Sequence, residues 1–248
     1  MPRLIITIDG PAGSGKTTVA RLLAVRLGVA FLDTGAMYRG LTAHCLDRGI
    51  NPATQPLEVA KLARRSQIHF DWDADPPRLH IDDRDLTVRL RDSDTTDSVS
   101  EVASIGPVRD VLVDAQRSIG LRHPRLVSEG RDQGSIVFPD ADVKFYIDAA
   151  PHVRARRRAD ELRGGGGEVD EDRIRQQILV RDRRDAQRGD GPLICPADAQ
   201  RIDTSAMAID MVVDLLEQHV LQRTGDSHGA AEATERRSDE ATKGPSPE

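Results

Sequence analysis

Gly10-Pro11-Ala12-Gly13-Ser14-Gly15-Lys16-Thr17 carries the most explicit chemistry in this 248-residue chain. It fits G-x-x-x-x-G-K-[ST], and Thr18 follows it. Glycines let the backbone wrap a phosphate so that its N–H groups point inward. Lys16 supplies a point charge for β- and γ-phosphates, and Thr17 offers a hydroxyl to Mg²⁺. The segment lies between an apolar, β-branched run and a helical run, the context the motif requires. Gly10 to Thr18 are therefore the ATP-binding candidates, with Mg²⁺ as the accompanying ion. The loop implies a bound nucleoside triphosphate but leaves the reaction open, because switches, motors and kinases share it.

A second concentration of chemistry lies between residues 151 and 190. It holds eleven arginines: 154, 156, 157, 158, 163, 173, 175, 181, 183, 184 and 188. Four glycines, Gly164 to Gly167, sit among them as a flexible break. One reading is a lid, about 151–188, whose arginines close over phosphates and steady transition-state charge. The other is a solvated charged helical pair, because Asp160, Glu161, Asp170, Glu171, Asp172, Asp182 and Asp185 are interleaved. Beside a phosphate-binding loop, the lid reading is preferred for the segment as a whole. A guanine-reading Asn-Lys-x-Asp run is missing, which argues against a GTPase. A motor would carry an Asp-Glu pair after a core strand, where this chain has Glu129-Gly130. A small-molecule kinase needs cations for two phosphate-bearing substrates and mobile segments that exclude water. A nucleotide-sensing protein that transfers nothing stays open, disfavoured by the intact Lys16-Thr17 pair.

Composition fits a soluble enzyme. Hydrophobic residues make up 38%, enough for one core, and aromatics only 3%, so that core is aliphatic. The net charge of -6, and basic residues alternating with acidic ones, argue against nucleic-acid binding. Cys45 and Cys195 have no metal-ligand spacing and are expected as reduced, buried thiols, one disulfide being the alternative. No run approaches the roughly 18 apolar residues of a membrane span, so no membrane association and a cytoplasmic location are expected. A monomer is the default expectation.

The elements that must position these groups follow from periodicity. Leu4–Ile8, Val29–Leu32, Arg125–Ser128, Val143–Ile147 and Gln200–Ile202 read as strands. Lys16–Leu27, Gly35–Asp47, 57–66, Val99–Leu121 with a break near Gly106-Pro107, Pro151–Leu162, Asp170–Arg188 and Met207–Val220 read as helices. Ile68–Trp72, Arg78–Ile81 and Leu86–Leu90 read as a small antiparallel insertion. Strands alternating with helices predict a three-layer α/β/α fold with a central parallel sheet. The expected layout is a single domain over 1–222, with an acceptor-binding insertion at about 34–104. A polar tail, 223–248, is expected to be disordered.

Four ordered runs resemble one family, the bacterial cytidylate kinases of the nucleoside monophosphate kinase class. They are Ile6–Lys16, Leu32-Asp33-Thr34-Gly35-Ala36-Met37-Tyr38-Arg39, Glu129–Ala141 and Arg181-Asp182-Arg183-Arg184-Asp185-Ala186-Gln187-Arg188. Order and spacing agree from about residue 3 to residue 220. Small departures are Thr17-Thr18 after the lysine, Thr34 where serine is frequent, and Glu129 where aspartate is frequent.

The resemblance implies transfer of the ATP γ-phosphate to CMP or dCMP, and it implies roles. Thr34 and Arg39 are expected on the phosphate side of the acceptor, with Arg131 and Arg188 as further phosphate contacts. Ser100, Arg109 and Asp132 are expected to read the base. Arg181 and Asp185 are expected at the sugar hydroxyls and phosphate. Glu129 is expected to reach Mg²⁺ through water. The base-reading set also makes chemical sense. Cytosine presents an N4 amine beside N3 and O2 acceptors. Asp132 suits the amine, Arg109 suits N3 and O2, and uracil's O4 would face a carboxylate. The expected mechanism is in-line transfer, with Lys16, Mg²⁺ and the lid arginines Arg154 and Arg158 taking up charge, and Arg39, Arg131 and Arg188 holding the acceptor phosphate. No general base is needed. Shikimate or another monophosphate is the rival acceptor.

Overall fold

β1 (Leu4–Asp9) is buried along its whole length and ends at Gly10, where the chain turns into α1 (Lys16–Leu27). The computed structural model describes residues 2–164 and 169–225. Gly28 closes α1 in the left-handed conformation. β2 (Ala30–Asp33) leads directly into α2 (Thr34–Leu46), whose N-cap Asp33 accepts from the Ala36 amide at 2.8 Å. α3 (Pro56–Arg65) follows.

A separate three-stranded antiparallel sheet comes next: β3 (Ile68–Asp71), β4 (Arg78–Ile81) and β5 (Arg84–Asp85). The expected third strand over Leu86–Leu90 is not one. The pairing strand is only Arg84–Asp85, and Val88–Arg91 is a tight helical turn. The Asp85 carboxylate accepts the Thr87 amide, and the Thr87 hydroxyl accepts the Leu79 amide, so a side chain substitutes for a strand bond.

α4 (Ser93–Ala103) begins six residues earlier than the hydrophobic pattern indicated and α5 (Gly106–Arg122) follows the break at Ser104–Ile105. β6 (Arg125–Gly130), β7 (Val143–Asp148), the helical pair α6 (Pro151–Gly164) and α7 (Glu171–Gln187), β8 (Gln200–Asp203) and α8 (Ile209–Thr224) complete the chain.

The main sheet has the order β2-β6-β1-β7-β8, and every pair is parallel. Side chains alternate across β1. Leu4, Ile6 and Ile8 pack with α1 and α8 in one apolar cluster, while Ile5 joins the cluster built with α2 and α5. This is a three-layer α/β/α arrangement with helices on both faces. Thr7 and Asp9 also lie buried on the Ile5 face, where they meet the segment after β6.

Both cysteines are free, but Cys195 is exposed, in the loop between α7 and β8, contrary to expectation. Burial pushes the Cys45 thiol up to about 11. Arg223 and Thr224 belong to α8, where the Thr224 hydroxyl donates to the Val220 carbonyl at 2.9 Å, so the expected tail starts two residues too early. The rest of that tail, from 226, and glycines 165–167 lie outside the described residues.

Candidate functional site

The phosphate loop springs from the C-terminal end of β1 and delivers α1, so backbone amides and the helix N-terminus face the same point. Its tightness needs glycine at position 10. A Cβ there would sit 2.0 Å from the Ile147 carbonyl oxygen of β7. Lys16 is buried, with Nζ donating to the Pro11 carbonyl at 3.3 Å and lying 3.7 Å from a Glu129 carboxylate oxygen. The Thr17 hydroxyl donates to the other Glu129 oxygen at 2.8 Å. Glu129 lies next to Ile8 in the β1–β6 register, so the strand pairing itself brings it to the loop. Burial, then Arg131, pushes the Lys16 ammonium down to about 8. Burial also pushes the Glu129 carboxyl up to about 7, against the pull of Lys16. A hydroxyl beside a buried carboxylate is a hard-oxygen pair of the kind Mg²⁺ takes when phosphates and waters complete its shell, so these residues fit the ion.

An adjoining cavity is lined by residues from six parts of the chain. α2 supplies Thr34, Tyr38 and Arg39. α4 supplies Val99, Ser100 and Ala103, and α5 supplies Arg109. Gly130 ends β6 and Arg131 and Asp132 follow it, while α7 supplies Arg181 and Asp185 and is capped by Arg188. Lys16, Thr17 and Glu129 close its floor, so the phosphate loop and the cavity share one wall.

Charges in the cavity are arranged in two groups. At one end Asp185 accepts from Arg131 Nε at 3.1 Å and from Arg188 Nη2 at 2.5 Å. Burial opposes ionisation of Asp185, but Arg131, Arg188 and Arg181 outweigh it and hold the carboxyl below its usual range. Arg181 itself is different. Its Nε is buried with no hydrogen-bond partner among the described residues. Burial, then Arg131, pushes its guanidinium down to about 10. Arg39 is held by Asp33 at 2.8 Å. At the other end Arg109 and Asp132 form a buried ion pair. Arg109 also donates to the Tyr38 hydroxyl at 3.4 Å, and burial pushes that phenol up to about 12.

Asp9 sets the position of Arg131 and Asp132. Its two carboxylate oxygens accept the Gln133 and Gly134 amides, each at 2.8 Å. The chain then makes one wide turn, Gln133–Val137, with the Val137 amide donating to the Asp132 carbonyl and the Phe138 amide to the Gln133 carbonyl. Burial raises the Asp9 carboxyl to about 6 despite these bonds.

The matching family model is Cytidylate kinase, over residues 6–222. The chain belongs to the cytidylate kinase family. It is 42% identical over 212 residues to a cytidylate kinase of Pelotomaculum thermopropionicum, covering 85% of this chain and 93% of that protein. It is 40% identical over 225 residues to the cytidylate kinase of Mycobacterium leprae, covering 91% and 99%. A bifunctional pantoate ligase/cytidylate kinase of a Synechococcus strain is 42% identical over 219 residues, which span 86% of this chain and 44% of that protein.

In this cytidylate kinase family member, the nine acceptor-side residues expected from sequence all line one cavity: Thr34, Arg39, Ser100, Arg109, Arg131, Asp132, Arg181, Asp185 and Arg188. Arg154 and Arg158 do not reach it. Arg154 is buried against the phosphate loop, and Arg158 is half-buried and paired with Glu161 at 2.8 Å. Tyr38, Asp9 and Arg157 were given no role by sequence reasoning. Tyr38 stands four residues after Thr34, one helical turn on, and that spacing was a usable signal. Asp9 reads locally as a strand end, and nothing near it shows that its partners lie 124 and 125 residues away.

Proposed function

We infer that this chain is a nucleoside monophosphate kinase that transfers the γ-phosphate of ATP to CMP or dCMP, giving ADP and CDP or dCDP. One observation carries the reading. The cavity beside Lys16 holds Arg181 with an unpartnered buried nitrogen, and an ion pair suited to a pyrimidine edge lines the same cavity. A half-buried guanidinium with an unpartnered buried nitrogen costs stability unless a ligand supplies the acceptor, and the acceptor phosphate supplies it.

The steps follow from the placement. Loop amides and Lys16 hold the ATP phosphates. Thr17 and Glu129 would hold Mg²⁺, which supplies charge neutralisation at the phosphate oxygens. Arg39, Arg131, Arg181 and Arg188 converge on the acceptor phosphate and aim one of its oxygens at the γ-phosphorus. Lys16 lies between both substrates and takes up charge as it moves. A phosphate monoester already carries a nucleophilic oxygen, so no residue has to remove a proton. Asp132 accepts from the cytosine amine, and Arg109 donates to N3 and O2. Uracil would set its O4 against the carboxylate.

The working layout is one kinase domain over 1–222, with residues 34–104 as the acceptor-binding insertion and 151–188 as a closing lid. A monomer in the cytoplasm is the working form. Among the described residues no helix is long and apolar enough to cross a membrane.

The test is ADP formation from ATP·Mg²⁺ against CMP, dCMP, UMP, AMP, GMP, shikimate and no acceptor. Turnover with CMP and dCMP well above the others is the expected result. ADP release that ignores the acceptor, or preference for shikimate, sinks the reading.

A further inference from the structure

Arg154 stands in the first turn of α6, where the phosphate loop, the end of β7 and α7 meet. Its side chain is almost fully buried, at 4% exposure. Nε donates to the Ala149 carbonyl at 2.8 Å. Nη1 donates to the Ala12 carbonyl of the phosphate loop at 3.0 Å. Nη1 and Nη2 both reach the Asp182 carboxylate, at 3.2 and 2.6 Å. The contact is tight in the backbone as well. Gly13 has φ 75°, and a Cβ on it would lie 3.3 Å from the Arg154 Cβ. All three guanidinium nitrogens are therefore engaged inside the protein.

We propose that Arg154, with Asp182, is a positioning residue that ties the phosphate loop to the acceptor-holding face of α7. This rests on the phosphotransfer reading above and deepens it. The argument has two parts. A trans peptide points its C=O and the following N–H in opposite directions. Holding the Ala12 carbonyl outward therefore fixes the Gly13 amide toward the phosphate position. Arg157 does the same one step on. Its Nη1 donates to the Ser14 carbonyl at 3.2 Å, which turns the Gly15 amide inward, while Nη2 is anchored on the Thr204 carbonyl at 2.7 Å.

The second part concerns α7. Asp182 follows Arg181 and precedes Asp185 by three residues, so one helical turn carries both the strut and the acceptor cluster. An acceptor phosphate that draws in Arg181 moves the helix that holds Asp182, and Asp182 is bonded to the group that holds Ala12. The two substrates then share one rigid linkage, and each favours the binding of the other. A direct role for Arg154 at the transferred phosphate would require it to leave four bonds.

The experiment is a double-mutant cycle with Arg154→Met, Asp182→Asn and both together, plus Arg154→Lys. Asp182 is partly exposed, so Asp182→Asn is the variant least prone to disturb the fold. The readouts are kcat and KM, melting temperature, and the affinity for Mg·ADP by calorimetry with and without CMP. The expected result is a loss of about tenfold or more in kcat for either single change, with the double variant no worse. The gain in ADP affinity conferred by CMP disappears in all of them, including Arg154→Lys, whose point charge cannot bridge Ala12 and Asp182 together. Wild-type kcat and wild-type coupling in Asp182→Asn, with Arg154→Met alone impaired, overturn the proposal and make Arg154 a phosphate contact. A lowered melting temperature with unchanged kinetics overturns it too. Turnover of the unaltered chain with CMP checks the acceptor separately. If another acceptor is used, the cycle is run with that one.

Discussion

The donor loop and the acceptor cavity share a wall but are built in opposite ways. Eight consecutive residues, Gly10 to Thr17, make the donor loop, and its position is fixed by the strand before it and the helix after it. The acceptor cavity draws on residues from Lys16 to Arg188, brought together only by packing of the helices and the wide turn after β6. The loop is a local device whose geometry is written in glycines. The cavity is a long-range device, held by ion pairs that the ligand must complete. Changes in the first should therefore strike the chemistry, and changes in the second should strike binding, selectivity and stability.

The largest expected effect is at Lys16, where both regions meet. Lys16→Met should lower kcat by about a thousandfold, roughly 4 kcal/mol, with a smaller change in KM for CMP. Steady-state kinetics check it, and a loss confined to KM for either substrate would break the division just drawn.

Next is Asp185, the one carboxylate among three guanidiniums. Asp185→Asn leaves Arg131 and Arg188 without the carboxylate that pairs them and should destabilise the fold by about 3 kcal/mol at neutral pH. The folded-state carboxyl is depressed, so its contribution is present above the ordinary carboxylate value and lost as pH falls through the folded one. The gap between the melting curves of the two proteins should therefore begin to narrow only as pH drops below the ordinary carboxylate value and close as it falls through the depressed folded one. A gap that persists there would mean that packing, not charge, is at work.

Asp132→Asn should cost about a hundredfold in kcat/KM for CMP and narrow the preference over UMP, because an amide can face either N4 or O4. Side-by-side kinetics with the two nucleotides decide it. Equal losses for both would make Asp132 a support for Arg109 alone.

The smallest effect has the least intuitive sign. Arg181→Met should weaken CMP binding yet raise the melting temperature of the free protein by a few degrees, since it removes a half-buried guanidinium with an unpartnered buried nitrogen. Calorimetry without ligand is the check, and a drop in stability would show that Arg181 is paid for by contacts within the protein.

How much was legible in the sequence follows the same divide. β1, the loop and α1 were readable because each depends on neighbours in the chain. Acceptor residues were readable only through family resemblance, since no spacing relates Arg39 to Asp185. Leu86–Leu90 misled because the alternation of Leu86, Val88 and Leu90 mimics a strand, whereas the chain turns there through Thr87, buries Leu86 and leaves Val88 exposed. The start of α4 was missed because Asp92-Ser93-Asp94 resembles a loop, although Thr95 is fully buried. Arg154 was read as a lid arginine at the transferred phosphate and Arg157 received no role of its own, because neighbouring residues do not reveal what either one holds. Their partners, Asp182 and Thr204, lie 28 and 47 residues further on.

The grip of Asp9 on the amides of Gln133 and Gly134 has a consequence for redesign. The carboxylate that seats the segment after β6 is the residue immediately before the phosphate loop. A segment transplanted from a kinase with another acceptor would inherit this anchor only if it offers two amides in the same places. On the proposed roles, Asp132 would travel with a cassette running from Arg131 through the wide turn while Arg109 stays behind on α5, and the socket for that cassette is a single oxygen pair at the tip of the central strand.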